Sequence, residues 1–437
     1  MSDVCVIGLW HQGVVGAACL ADLGHDVVAA DSDAARVARL AAGRAPLFEP
    51  GLDDLVAAGL AAGRLRFTTD VAGAARGRPY VLLMFDTPVN ERDESDLGEV
   101  LAAAAAIAPG LAPDAAVLVT AQVPVGTCDR LAGIMREKSP HGRFGIAYSP
   151  ENLRLGQAIE RFRHPALPVL GGDAATLARI ETLLAPLGAR WERVSLRTAE
   201  MVKHALNAFL AVSVCFGNEL GNLCDEVGAD GQRVAEVLRL EPRVGPKAML
   251  TPGLGFSGGT LARDVQTLRG LGDRTGLDTA LLDGAWQANL AQNRLVVRKL
   301  AKVFGSLRDV PVAVLGLTYK PDTSTLRRSA ALEIIADMTA QGARIAAHDP
   351  RADRDELARH PEFRFCDDPY AAATGARALV IVTAWPEYRE LDLDRLKRAM
   401  AEPVIIDTAN MLDAERATSK GFRYLDVGRG RTAGGAL

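Results

Sequence analysis

The sequence lacks the features that mark secreted, metal-binding and nucleic-acid-binding proteins. Its six cysteines are scattered over 437 residues, with no Cys-x-x-Cys pair and no histidines at metal-ligand spacing. Scattered cysteines of this kind are typical of reduced thiols in a cytosolic protein, and a zinc or other metal site is not expected. Acidic and basic residues are interspersed and the net charge is only -4, so a nucleic-acid partner is not expected either.

Long apolar runs are missing as well. The apolar run at the N-terminus is short and has no basic region or cleavage site beside it, so no signal peptide is expected. The alanine-rich stretch from Val100 to Ala108 has about half of the ~20 residues that a membrane span needs. The sequence therefore predicts a cytoplasmic protein without membrane spans, and its length predicts two or three domains.

The N-terminal residues have the pattern of a β-α-β unit. Val4 to Ile7 is a continuous apolar run suited to a central parallel strand, and a helical pattern follows from Val14 to Leu23. A second strand, Val27 to Ala30, ends at Asp31, which lies 23 positions after Gly8. An acid at this place holds the adenosine ribose in dinucleotide-binding units. We therefore expect Asp31 to bind the ribose and to favour NAD over NADP, although an acid here could instead cap the next helix.

The loop of this unit departs from the dinucleotide-binding fingerprint Gly-x-Gly-x-x-Gly. Gly8 and Gly13 stand at the first and third glycines, but the second position is Trp10. The second glycine normally lets the backbone approach the pyrophosphate. Trp10 is therefore expected either to turn its ring away or to line the edge of the cofactor.

Further strand and helix patterns extend to the C-terminus. The other predicted strands are Tyr80 to Met84, Val117 to Thr120, Val312 to Gly316, Arg344 to Ala347, Leu379 to Thr383 and Val404 to Asp407. This alternation predicts an α/β protein with two Rossmann-like, doubly wound domains. Between them, Thr198 to Val227 has no proline and has apolar residues at helical spacing. That segment predicts a long central helix, which would join the domains and form a dimer contact.

Motifs along nearly the whole chain resemble, in order, those of the UDP-glucose/GDP-mannose dehydrogenase family. Pro46 to Leu52 looks like the family's Pro-x-x-Glu-Pro-Gly-Leu, and Ser149 to Arg154 looks like its Asn-Pro-Glu-Phe-Leu-Arg. Other similar segments are Thr87-Pro88-Val89, Val123 to Thr127, Glu200 to Glu219, Arg243 to Pro246 and Gly316 to Pro321. So many ordered matches are far more specific than any single loop.

The resemblance implies an NAD-dependent enzyme that acts on a nucleoside-diphosphate sugar and forms a homodimer or a higher homo-oligomer. We expect an NAD-binding domain at 1–195, a central helical dimerisation region at 196–300 and a nucleotide-sugar-binding domain at 301–437. The candidate cofactor residues are Gly8, Trp10, Gly13, Asp31, Arg36, Thr87 and Pro88. The candidate substrate residues are Arg243, Phe256, Gly258, Lys320 and Arg327.

The substrate residues have different expected tasks. Arg243 resembles a family residue that reaches a substrate held by the neighbouring subunit. Lys320 and Arg327 are candidates for the diphosphate, to which arginine offers a bidentate fork and lysine a point charge. Phe256 could instead simply pack the core.

The catalytic cysteine of the family is missing. Family members oxidise a sugar primary alcohol to a carboxylate in two hydride transfers, and the cysteine holds the intermediate aldehyde and then a thioester. The family's Gly-Phe-Gly-Gly-Ser-Cys-Phe-Pro-Lys-Asp matches Gly255 to Asp264, with Thr260 at the cysteine position. A threonine hydroxyl ionises far less readily than a thiol and would need a strong base beside it. Gln122 likewise replaces a family threonine that helps to manage the reacting water and oxyanion.

Other catalytic positions of the family are retained. Lys203 and Asn207 are four residues apart, so on a helix both project from one face, where they could stabilise an alkoxide. Asp264 could orient a water or accept a proton, and Glu151 could serve as a general base. Without the resemblance, Lys203 would be interpreted as a solvated helix residue and Asp264 as a helix N-cap.

Three functions fit this combination of retained and missing residues. The first is an NAD-dependent nucleotide-sugar dehydrogenase without the cysteine-thioester second oxidation. The second is an epimerase that removes a hydride and returns it from retained NAD. The third is a nucleotide-sugar-binding protein without catalysis, for which Trp10 and Thr260 would be the signs. The retained catalytic positions favour an enzyme, and the dehydrogenase is the leading hypothesis.

Overall fold

The structure of the protein, a computed structural model, describes residues 1–88, 90, 95–150 and 153–430. The chain forms two compact units, Met1–Leu206 and Asn207–Leu437. The boundary between these units falls inside one long helix. The division predicted from the sequence, at residues 195 and 300, stays a prediction.

The first unit is built on an eight-stranded sheet with the order β3-β2-β1-β4-β5-β6-β7-β8. Neighbouring strands are parallel except for β6 and β7, which are antiparallel. The strands are β1 Asp3–Ile7, β2 Asp26–Ala30, β3 Leu65–Thr68, β4 Tyr80–Leu83, β5 Ala115–Val119, β6 Phe144–Tyr148, β7 Val169–Gly172 and β8 Glu192–Val194. The strand order reverses between β1 and β4, and α/β sheets bind ligands outside the carboxyl ends of strands at such a point.

Helices cover both faces of this sheet. They are α1 His11–Asp22, α2 Ala34–Ala41, α3 Leu52–Ala61, α4 Val71–Ala75, α5 Gly98–Ile107, α6 Thr127–Lys138, α7 Ala158–Arg163 and α8 Ala174–Leu184. Since successive strand residues point to opposite faces, Val4 and Val6 belong to one hydrophobic core, whereas Cys5 and Ile7 belong to the other. The continuous apolar run of β1 thus reflects a parallel strand that is buried on both faces.

The long central helix predicted from the sequence is present as α9, Leu196–Val227. By length and composition alone it is apolar enough to cross a membrane, a test that the core helices of soluble proteins also pass, and 44% of its most apolar window is buried inside the protein. Its buried side chains include the polar residues Glu200, Lys203, His204, Asn207 and Asn218. The expectation that the chain has no membrane span stays a prediction.

The second unit contains a six-stranded, all-parallel sheet with the order β11-β10-β9-β12-β13-β14. Its strands are β9 Pro311–Leu315, β10 Arg344–His348, β11 Arg364–Phe365, β12 Ala378–Ile381, β13 Val404–Asp407 and β14 Arg423–Leu425. Its helices, besides part of α9, are α10 Gly231–Leu238, α11 Thr260–Thr275, α12 Ala280–Asn293, α13 Leu295–Phe304, α14 Ala330–Ala340, α15 Arg354–Leu357, α16 Pro369–Ala373, α17 Leu393–Ala399 and α18 Ala414–Ser419. The predicted fold class, two doubly wound α/β domains and a long central helix, is confirmed.

Candidate active site

An open cavity of about 590 Å³ lies at the carboxyl edge of the first sheet, in the crevice between β1 and β4. Its lining residues are Gly8, Leu9, Trp10, Asp31, Arg36, Phe85, Asp86, Pro88 and Glu99. Five of the seven candidate cofactor residues therefore line one cavity. Gly13 lies in the first turn of α1, and Thr87 is buried in the segment that follows β4.

Asp31 follows β2, and its buried carboxylate is fixed in the wall of this cavity. Its Oδ2 atom accepts hydrogen bonds from the Leu9 N–H at 2.6 Å and from Arg36 Nη1 at 2.7 Å. Its Oδ1 atom accepts from the N–H of Asp33 at 2.9 Å. Asp33, not Asp31, caps α2, so the capping interpretation of Asp31 is wrong. The carboxylate is held where it can meet the hydroxyls of a ribose.

Trp10 lines the cavity with its ring beside Arg36. The Arg36 guanidinium carbon lies 5.2 Å from the centroid of the ring, a cation–π distance, and Arg36 also pairs with Asp33 at 3.4 Å. Trp10 is 41% exposed. Trp10 is one of the residues that line the cavity, and its position relative to a cofactor stays a prediction.

The first and third glycines of the loop are required by close packing. A Cβ atom on Gly13 would lie 1.6 Å from the carbonyl oxygen of Gly8, and one on Gly8 would lie 2.9 Å from the Phe85 ring. Gly8 also has a φ of +92°, a left-handed conformation that favours glycine. With Asp31 and the N-terminus of α1 at His11, these glycines have the arrangement expected of a dinucleotide-binding loop.

The segment after β5 brings Gln122 to the beginning of α9. Glu200 accepts hydrogen bonds from the N–H groups of Gly126 at 2.6 Å and Cys128 at 2.8 Å, and His204 Nε2 lies 2.9 Å from the carbonyl oxygen of Val123. Gln122 itself is buried. The first turns of α9 and this segment therefore form one polar region of the first unit.

Lys203 and Asp264 are both buried, which does not fit the alternative roles of a solvated helix residue and a helix N-cap. Lys203 is only 4% exposed, so it is not a solvated helix residue. Asp264 is fully buried within α11 and is not a helix N-cap. Its Oδ2 atom accepts a hydrogen bond from Asn207 Nδ2, and Asn207 stands one turn after Lys203 on the continuous helix α9. The solvated-residue alternative for Lys203 and the N-cap alternative for Asp264 are therefore wrong.

The glycine-rich segment before α11 lies against the segment that follows β9. The N–H of Gly258 donates to the carbonyl oxygen of Arg328 at 3.0 Å. Gly258 has a φ of +76°, and a Cβ atom there would lie 2.8 Å from the Tyr319 ring. Lys320 and Arg327 are exposed in the same segment as Tyr319. Buried Gly258 and the exposed residues Lys320 and Arg327 therefore belong to two segments of the second unit that contact each other.

The other two candidate substrate residues differ in their surroundings. Phe256 is half-buried, packs against a small apolar cluster and lies 6.4 Å from the Trp286 ring, centroid to centroid, as the core-packing alternative predicts. Arg243 is exposed after α10, and its Nε atom lies 2.8 Å from Glu241 Oε1. This hydrogen bond lowers the pKa of Glu241. Arg243 therefore lies at the surface of the second unit, paired with Glu241.

Three family models match the chain, and together they extend over most of it. The models of the UDP-glucose/GDP-mannose dehydrogenase family match as follows: its NAD binding domain at residues 2–187, its central domain at 197–291 and its UDP binding domain at 313–414. The chain belongs to this dehydrogenase family. The family resemblance seen in the motifs is confirmed. The NAD binding domain includes the cavity at β1 and β4, which supports NAD as the cofactor.

Individual members of the family are similar over the full length of the chain. UDP-glucose 6-dehydrogenase of Rhizobium meliloti strain 1021 is 37% identical over 434 residues, which are 98% of this chain and 99% of the relative. UDP-glucose 6-dehydrogenase TuaD of Bacillus subtilis strain 168 is 35% identical over 433 residues, 98% of this chain and 94% of the relative. The solved UDP-glucose dehydrogenase of Pyrobaculum islandicum has 32% identity and a TM-score of 0.87 over 97% of both chains.

Thr260, which the family resemblance predicts to stand at the cysteine position, is exposed. Thr260 is the first residue of α11, one turn before Asp264. All six cysteines of the chain lie in the described part, and all are free and buried. Burial raises the pKa of Cys5 and Cys19 to about 12 and that of Cys215 to about 11. A buried, protonated thiol is a poor nucleophile, so the native thiols are unsuited to replace the family's cysteine.

Two acids of the site were missed by the sequence analysis. Glu49 is buried and accepts hydrogen bonds from the N–H groups of Gly156 and Ala158, both at 2.8 Å, and its place in a family motif was the available signal. Asp86 lies in the segment that follows β4, at the crevice between β1 and β4. Ligand-binding residues of α/β sheets are found at such crevices. Glu151, the candidate general base, lies outside the described residues.

Proposed function

We propose that the protein is an NAD-dependent dehydrogenase that oxidises one alcohol of a nucleoside-diphosphate sugar, without the cysteine-bound second oxidation of its family. The observation that carries this proposal is the hydrogen bond between buried Asn207 and buried Asp264, with buried Lys203 one turn before Asn207 on α9. The absence of the second oxidation is proposed because Thr260 stands at the predicted cysteine position. NAD, when bound, supplies the acceptor for the hydride. Asp31, the glycine loop and the N-terminus of α1 would hold it.

The protein's own residues would manage the proton and the charge. Lys203 and Asn207 would hydrogen-bond the sugar oxygen and stabilise the negative charge that develops on it as its proton leaves. Asp264 would fix the amide orientation of Asn207 through their hydrogen bond. Glu151, or a water oriented by Asp264, would accept the proton.

The nucleotide of the substrate would bind to the second unit. The matched UDP binding domain supports a nucleoside-diphosphate sugar, and the names of the relatives support a UDP-hexose. Lys320 and Arg327 are exposed on the segment after β9 and would meet the diphosphate. Arg243 would reach the substrate of a neighbouring subunit. All six cysteines are buried and free, which fits a reducing, cytoplasmic location.

The decisive experiment incubates the purified protein with NAD and a panel of nucleotide sugars. NADH is followed by absorbance and products are assigned by mass spectrometry. A product two mass units lighter than its substrate supports the proposal. A stereoisomer formed without NADH, by protein that retains NAD through purification, would favour the epimerase instead. Binding of a nucleotide sugar with no turnover would favour the non-catalytic alternative.

We expect the protein to form a homodimer or a higher oligomer through α9. Phe209, Phe216 and Leu223 are spaced seven residues apart on this helix, and each is more than half exposed. Such a stripe is typical of a helix that packs against another copy. Phe216→Glu is therefore expected to shift the protein towards monomer in light scattering at micromolar concentration. Phe48→Glu, at an exposed apolar residue of the first unit, is the control and should leave the mass unchanged. A monomeric natural protein would contradict the expectation.

We expect NAD to bind more tightly than NADP, by about tenfold or more, because Asp31 would repel the 2′-phosphate. Asp31→Ala should narrow this difference, since it removes the acid and releases Arg36 from their 2.7 Å contact. Asp22→Ala is the control, because Asp22 pairs with Arg163 at 2.6 Å and does not line the cavity. Both affinities are measured by calorimetry. Equal affinities of the natural protein for NAD and NADP would count against the ribose role of Asp31.

A further inference from the structure

The N-terminus of α1 already binds an acid of the protein itself. Oδ2 of Asp86 accepts a hydrogen bond from the N–H of Gln12 at 3.1 Å. The side-chain amide of Gln12 also forms two hydrogen bonds: it donates to the Phe85 carbonyl and accepts from Thr120 Oγ1. These contacts hold the start of α1 against the chain that follows β4. The Asp86 carboxylate is thereby placed on the first turn of the helix.

This helix terminus is where Rossmann-like domains bind the pyrophosphate of a dinucleotide. The terminus attracts an anion through its N–H groups and its partial positive charge. In this chain the Asp86 carboxylate uses the N–H of Gln12. The pyrophosphate and the Asp86 carboxylate would therefore compete for the N–H of Gln12.

The charge of the surrounding cavity adds to this competition. Among the described residues that line it, Asp31, Asp86 and Glu99 carry carboxylates, and Arg36 is the one cation. Arg36 pairs with Asp31 at 2.7 Å. A dinucleotide would bring two more negative charges into this acidic cavity. Trp10, which stands at the fingerprint's second glycine, adds a side chain where the pyrophosphate normally approaches the backbone.

We propose that Asp86 limits the affinity of the cofactor site, because its carboxylate competes with the dinucleotide's pyrophosphate for the N-terminus of α1. The cofactor then binds fully only when this carboxylate moves aside. Asp86 is exposed and lines the cavity that a dinucleotide would enter. The inference rests on the proposed function in one respect, since it takes NAD as the ligand of the cavity.

The test measures equilibrium binding of NAD, ADP-ribose and adenosine to the full-length protein by calorimetry. Asp86→Asn removes the charge and keeps the shape, whereas Asp86→Gly removes the side chain. Both variants are expected to bind NAD and ADP-ribose about tenfold more tightly than the natural protein. Adenosine has no pyrophosphate, so its affinity should not change. Glu99→Gln is the matched control, because it removes one negative charge from the same cavity and should give a smaller gain.

The other outcomes would overturn the inference. If Asp86 only caps α1, both variants will melt at a lower temperature and bind NAD as the natural protein does. An equal gain from Glu99→Gln would show a general charge effect and no competition at the helix. Failure of both variants to bind NAD would likewise reject the proposal. Because the readout is binding, it is separate from turnover: tighter NAD binding by Asp86→Asn, with no product from any nucleotide sugar, would reject the proposed function alone.

Discussion

Lys203→Ala is expected to lower kcat by about 10²–10³-fold, with little change in the binding of the nucleotide sugar. The reason is that Lys203, buried on α9 one turn before Asn207, would act mainly on the negative charge that appears as the alcohol loses its proton. An interaction made in the transition state affects kcat, whereas uniform binding affects KM. Initial rates of NADH formation at saturating NAD and sugar measure the effect. Asp264→Asn should also lower kcat, because it disturbs the hydrogen bond that orients the Asn207 amide.

A basic residue on the same helix provides the control. Arg197 is exposed on α9 and pairs with Asp129 at 2.7 Å, so Arg197→Ala removes a cation without touching the buried face. It should keep its kcat within about twofold, since exposed ion pairs contribute little to stability. Lys203→Met, which keeps most of the side-chain volume, separates a loss of charge from a loss of packing. A Lys203→Met variant that folds and keeps full kcat would remove Lys203 from the proposed machinery.

A single committed turnover is expected to give no more than one NADH per sugar and no accumulating covalent acyl-enzyme. The family resemblance implies a cysteine that would keep the aldehyde bound through two oxidations, and Thr260, at the matching position, would offer only a poorly ionised hydroxyl. The buried cysteines cannot readily substitute, since burial holds their thiols in the protonated form. An aldehyde or ketone is therefore expected as the product, with a uronate not expected.

The measurement counts NADH against product by mass spectrometry and checks the intact protein mass for an adduct. Thr260→Cys alone should not fully restore acid formation, because the same resemblance places Gln122 where the family has a threonine hydroxyl. Thr260→Cys combined with Gln122→Thr is the matched comparison and should form more acid than either single variant. Two NADH and one carboxylate per sugar from the natural protein would show that this site reaches the acid without a cysteine.

The parts of the fold that were predictable are those whose sequence pattern has a single physical cause. β1 and β13 lie in the interior of their sheets, so both of their faces are buried, and their sequences are apolar except for Asp3 and Asp407 at the strand ends. The strands β3, β8, β11 and β14 were not predicted. They are sheet-edge strands, and β8 reads Glu-Arg-Val, with exposed charges that resemble a loop. The interior strands β6 and β7 were missed as well, and both contain glycine, which weakens a strand pattern.

The site shows the same division between local and long-range information. The position of Asp31 at the cavity was predictable, because one β-α-β unit sets its distance from Gly8. The sequence could not decide which of Asp31 and Asp33 caps α2, since both positions suit a cap. Glu49 and Asp86 escaped notice because their partners are far along the chain, as in the contact of Glu49 with Ala158. The burial of Lys203 also depends on tertiary packing, which helical spacing alone does not reveal.

The burial of every native thiol has a practical consequence for labelling. A cysteine introduced at position 260 would stand at an exposed helix start, whereas the six natural cysteines are enclosed. An alkylating reagent or a fluorophore would then modify one site of the folded protein, without prior removal of other cysteines. A spectroscopic reporter could thus be attached at the N-terminus of α11, and a change in its signal on addition of a nucleotide sugar would test whether the sugar binds there.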